Sequence, residues 1–76
     1  MSNRVFSEHL NQGLDDIGVP AHHNERIEAF AKLIGVPRFK AESILSGQAY
    51  IDPALLALIA DELEVSVDWL LGKEEI

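Results

Sequence analysis

The chain contains no cysteine. That excludes a disulfide framework, a thiolate zinc site and a cysteine nucleophile. It also lacks any run approaching the roughly 18 consecutive apolar residues that a membrane-crossing helix needs. The opening MSNRVFSEHL has neither the apolar stretch nor the small-residue cleavage site of a secretory signal. The expectation from these absences is a cytoplasmic protein with no membrane partner. Positive charge is scarce too: 6 Lys and Arg stand against 13 Asp and Glu, a formal net charge of −7. No Ser/His/Asp or Cys/His arrangement, paired-carboxylate cleft or phosphate-cradling glycine loop is visible. Neither an enzyme nor a cofactor is therefore expected, and no small-molecule ligand is evident.

What is present is helical periodicity. The 76 residues suffice for one domain, and 47% of them are apolar. A chain this short buries a modest core, so it needs efficient helix packing or a partner subunit. The spacing predicts an all-α domain over 1–76, with helices at about 4–17, 25–34, 37–45, 53–63 and 66–71 and a tail at 72–76. In the first helix Val5, Phe6, Leu10, Leu14 and Ile17 recur at intervals of three and four. Ser2 or Asn3 is its expected cap. Gly13 within it costs about 1 kcal/mol relative to Ala, a local weakness. Gly18-Val19-Pro20 ends it.

Asn24 reads as the N-cap of the second helix, in which Ile27, Phe30, Ala31 and Ile34 form a single stripe. Gly35 is its stop, Val36 an apolar plug beneath the turn, and Pro37 the first residue of a third helix. Two short helices joined by a glycine-containing turn have the form of a helix-turn-helix. In the third helix Ala41, Ile44 and Leu45 face inward, leaving Arg38, Phe39, Lys40, Glu42 and Ser43 outward or at the margins. Asp52-Pro53 is a strong start for the fourth helix, with Leu56, Ile59, Ala60 and Leu63 on one face. Leu55 and Leu58 widen that face, which fits either a dimer seam or full burial within one chain. Ser66 caps a short fifth helix, Leu70 plugs the bundle, and Trp69 is either a lid or an interface anchor.

Charge is unevenly spread. Residues 21–50 carry Arg26, Lys32, Arg38 and Lys40 against Glu25, Glu28 and Glu42, a local excess of positive charge. Residues 51–76 carry Lys73 alone against seven acidic side chains. Such polarity suits a protein presenting one face to a polyanion, although the excess is small enough to be ordinary. His22 and His23 are adjacent and have no third ligand nearby, so no metal site is expected. His9 reads as a surface residue.

If the central unit binds DNA, the outward side chains of its second helix meet base edges in the major groove. Arg38 is then suited to guanine, Lys40 to guanine or phosphate, Ser43 to either, and Glu42 to cytosine N4. Phe39 either contacts a thymine methyl or packs against helix 1 or a neighbouring subunit. Gln48 and Tyr50 in the following loop, and Arg26, His23 and Asn24 near the start of the second helix, are the remaining candidate DNA contacts.

The sequence resembles the Cro/CI-type (xenobiotic-response-element family) helix-turn-helix domain of phage repressors and bacterial regulators. The resemblance runs from residue 5 to 72. It rests on Phe30-Ala31, Ile34-Gly35-Val36, Ala41, Ile44-Leu45 and Gly47, then on Asp52-Pro53, Leu56, Ile59-Ala60 and Leu63, and on the closing VSVDWLLG. It implies a compact five-helix bundle of the lambda-repressor-like type. It also implies sequence-specific binding of double-stranded DNA through the third helix in transcription regulation, and commonly a homodimer on a palindromic operator. Leu55, Leu58 and Trp69 are the candidate dimer contacts. The alternative is a domain of the same shape that binds a protein, using Phe39, Trp69 and the Leu55/Leu58 face.

Overall fold

The computed structural model of the chain describes residues 4–48 and 51–73. The expected cap at Ser2 or Asn3, the loop contact at Tyr50 and the tail from residue 74 onward lie outside the described residues. Those residues form helices and connections with no strand: α1 (Arg4–Asp16), α2 (His23–Ile34), α3 (Arg38–Leu45), α4 (Pro53–Leu63) and α5 (Val67–Leu70). No helix among them is long and apolar enough to cross a membrane.

The core is assembled from residues spaced three and four apart, which superpose on one helix face. Phe6, Leu10 and Leu14 of α1, Ile27, Phe30, Ala31 and Ile34 of α2, and Ala41, Ile44 and Leu45 of α3 are buried. Ile59, Ala60 and Leu63 of α4 and Leu70 of α5 complete the cluster. α2 packs on α3 and α4, α1 on α3 and α5, and α4 on α5. Burying each large apolar side chain contributes about 1.5–3 kcal/mol. Phe30, Leu10, Leu14, Ile27, Ile44, Ile59 and Leu70, fully enclosed, therefore dominate stability.

The stripe of α1 is narrower than its sequence predicts. Val5 and Ile17 remain exposed, and α1 ends at Asp16, which leaves Ile17 in the turn. Gly13 has a different role from the expected weak point. It is buried against α4, and a Cβ there would come within 2.9 Å of Leu63 Cδ1. The missing side chain thus makes room for the Leu63 side chain, an offset to its poor helix propensity.

Most helix ends follow the local chemistry. Gly35 takes the left-handed conformation (φ 70°, ψ 41°), and its amide returns to the Ala31 carbonyl. The Asp52 carboxylate accepts from the Leu55 amide at 2.8 Å, with Pro53 opening the helix behind it. The Ser66 hydroxyl accepts from the Trp69 amide at 3.0 Å. Five boundaries differ from expectation by one or two residues: the end of α1, the starts of α2 and α3, and both ends of α5. α2 begins at His23, with extended His22 in the cap position and no capping side chain, so Asn24 lies in the first turn. Pro37 occupies the extended position before α3, and Arg38 is its first helical residue.

Candidate nucleic-acid interface

α3 is a short helix whose inner side is fixed by Ala41, Ile44 and Leu45. Its far end is tethered to α1, where the Leu45 carbonyl accepts from Ser7 Oγ and, at 3.4 Å, from Asn11 Nδ2. Its near end follows α2 directly through Gly35, Val36 and Pro37, and Val36 packs against the core. With about 100° of rotation per residue, the direction opposite the buried trio falls on Phe39 and Ser43, and on Ser46 just past the helix. Phe39 is 74% exposed, more than any other large hydrophobic side chain described. Ser43 is half-buried, and its carbonyl accepts from Ser46 Oγ at 3.1 Å.

The charged residues of α3 lie on its flanks. Arg38 and Glu42, one turn apart, face the start of α2. The Arg38 guanidinium donates to Asn24 Oδ1 at 2.9 Å, and Glu42 lies 3.6 Å from His23 Nε2, a pair that is ionic when His23 is protonated. Lys40 occupies the opposite flank and is half-buried. Gln48 is exposed beyond the helix. The structure therefore brings His23, Asn24, Arg38 and Glu42 together across α2 and α3, with Phe39 and Ser43 projecting beside them. A depression of about 210 Å³ lies between this group and α1, with His23, Glu42 and Ser46 on one side and Asn11 and Arg26 on the other.

Arg26 must be removed from the expected surface. It is only 7% exposed, the one buried charged residue among the described residues. Its guanidinium donates to the carbonyls of Pro20 (2.9 Å), Val19 (3.1 Å) and Asn11 (3.1 Å), to Asn11 Oδ1 (3.1 Å), and to the Asp15 carboxylate. All five contacts lie on α1 or the α1–α2 connection. With every donor direction engaged inside the protein, the fork has none left for phosphate. Its role is to lock the connection that leads into His23 and Asn24 at the start of α2.

The candidate dimer contacts divide. Leu55 and Trp69 are partly buried against the core, whereas Leu58 is exposed. The Trp69 ring stacks on His9 with centroids 4.6 Å apart, and His9 Nδ1 bonds the Trp69 carbonyl. Trp69 thus covers part of the core while staying partly exposed, and His9 is its half-buried partner rather than an isolated surface residue. No group of three or more His, Asp or Glu side chains among the described residues is placed to hold a metal ion.

Two participants stand outside the expected contacts: Asn11 anchors Arg26, and Ser46 extends the outer pole of α3. Asn24, an expected contact, holds Arg38 instead of capping a helix. The signal for Arg26 was present: it lies four and eight residues before Phe30 and Ile34, on the buried stripe. Ser46 likewise follows Phe39 by seven residues, two turns along one face.

No family model matches the chain, and neither a curated protein nor a solved structure matches it. The reading of function thus stands on the residues and their arrangement.

Proposed function

We propose that this chain is a sequence-specific DNA-binding transcription regulator of lambda-repressor-like, Cro/CI-type construction, with α3 as the helix that enters the major groove. One observation carries the reading: a short helix, clamped on its inner side by α1 and α2, leaves Arg38, Phe39, Glu42 and Ser46 exposed on its outer side and Lys40 and Ser43 partly so, with Arg38 and Lys40 on opposite flanks. A helix of this size fits the B-DNA major groove, and cations on both flanks suit the two phosphate backbones bordering it.

Residue roles follow from position. Arg38, partly pre-oriented by Asn24, offers its remaining donors to guanine O6 and N7 or to phosphate. Lys40 and Gln48 reach the backbone, as do His23 and Asn24 from the first turn of α2. Ser43 offers a hydroxyl to a base edge. Glu42, beside His23, accepts from cytosine N4. The acidic surplus of residues 51–76 lies outside α2 and α3, so repulsion falls mainly on the rest of the molecule. In the homodimer that the resemblance implies, exposed Leu58 is the leading contact, with Leu55 beside it.

A protein-binding module is the second reading. The exposure of Phe39 and the net charge of −7 favour it. Binding to random and upstream genomic duplexes over a salt series separates the two. The DNA reading expects log K to fall linearly with log salt, by roughly 0.9 per phosphate contact, and expects Arg38→Ala and Lys40→Ala each to lower that slope by about one contact. Absence of duplex binding at low salt sinks the DNA reading and leaves the protein-binding one.

A further inference from the structure

We propose that Phe39 reads pyrimidine C5-methyl groups, so that the preferred duplex has thymine at the step beneath the pole of α3. The inference rests on the DNA-binding reading above and sharpens it by naming the base chemistry.

The pole of α3 carries no charge. Phe39, Ser43 and Ser46 occupy it, whereas Arg38, Lys40 and Glu42 stand to the sides. In a docked helix the pole penetrates furthest and the flanks meet the groove walls. The deepest contact is therefore made by a ring with no hydrogen-bonding capacity, 74% exposed in the free protein. A ring left this open is free to meet a partner without rearrangement of the core.

Charge complementarity selects the occupant. Cations at 38 and 40 stand on either side of the ring, and Glu42, one turn beyond Arg38 on its flank, lies against His23, so the partner suited to the ring has negative charge on both sides of an apolar point. The major groove has that arrangement: two phosphate rims and, along its floor, the thymine methyl as the one apolar group that the base pairs present. Guanine and adenine offer mainly polar edges there, and unmethylated cytosine only a C5–H beside its N4 donor, so the ring would desolvate polar groups with little apolar contact in return. Ser43, one turn along from Phe39, donates or accepts and so tolerates the base next to the methyl. Among the described residues the core cluster forms without the ring.

The test uses the full chain and the duplex it selects most strongly from a random library. That duplex is prepared with thymine and with deoxyuridine at every thymine position, which removes only the methyl groups. Wild type is expected to bind the uracil form about fourfold more weakly per methyl contacted, the equivalent of roughly 0.8 kcal/mol. Phe39→Ala is expected to bind both forms alike while keeping the salt slope. Its thermal unfolding should match wild type, since the ring is exposed. Equal wild-type affinity for the two forms overturns the methyl reading and leaves DNA binding intact. Persistence of the thymine preference in Phe39→Ala also overturns it, by assigning the methyl to another residue. Failure of wild type to bind any duplex overturns both.

Discussion

Arg26 and Arg38 belong to the same two-helix unit and were equally eligible, by composition, for a DNA-facing role. Their surroundings separate them. Arg26 is sealed between α1 and α2 with three backbone carbonyls, Asn11 and Asp15 around it, whereas Arg38 stands in solvent with Asn24 alone. Charge on a list of residues says nothing of this difference; position on the helix does. Arg26 shares a stripe with Phe30 and Ile34, so its helix delivers it to the interior, and it persists there because Val19 and Pro20 of the α1–α2 connection together with Asn11 and Asp15 of α1 satisfy every donor. Arg38 opens a helix after Pro37, at a point where no layer covers it.

The comparison sets an order of effects. Arg26→Ala deletes the charged donor of five hydrogen bonds and is expected to cost about 2–3 kcal/mol, read as a lower urea midpoint. Asp15 is more than half exposed on its side chain, so its charge rehydrates, which keeps the loss below that of a fully buried pair. Arg26→Lys retains charge but loses the fork, and an intermediate loss of about 1–2 kcal/mol is expected. Arg38→Ala gives up one exposed hydrogen bond and should change stability by less than about 0.5 kcal/mol. Equal destabilisation by Arg26→Ala and Arg38→Ala would break the distinction between a structural and a presented arginine.

The same distinction explains what the sequence disclosed. Periodicity located all five helices to within about two residues, because Phe30, Ile44, Ile59 and their neighbours have no stable place but inside. Gly35, Asp52 and Ser66 marked ends through chemistry that is local to the chain. Less legible were features that depend on a second element. Gly13 looks like a flaw until Leu63 is seen above it. Asn24 is an excellent cap by type, yet α2 starts one residue before it and its amide oxygen serves Arg38. Val5 and Ile17 fit the stripe of α1 by spacing, but at its ends there is too little bundle to cover them. Within the candidate interface the residue types were visible and their ranking was not. Phe39 and Ser43 at the pole follow from the inward Ala41, Ile44 and Leu45 that periodicity already marks, whereas turning Arg38 and Glu42 to α2 depends on how the two helices pack.

The central claim is that the outer face of α3 is the surface offered to duplex DNA. The most direct test is a titration of isotopically labelled protein with a selected duplex, followed by amide chemical shifts along the chain. The account predicts the largest changes from Arg38 to Ser43, at Ser46 and Gln48, and at His23 and Asn24, with small ones around Leu58 and along α5. Shifts concentrated at Leu58 and α5, with α3 unmoved on saturation, would contradict it.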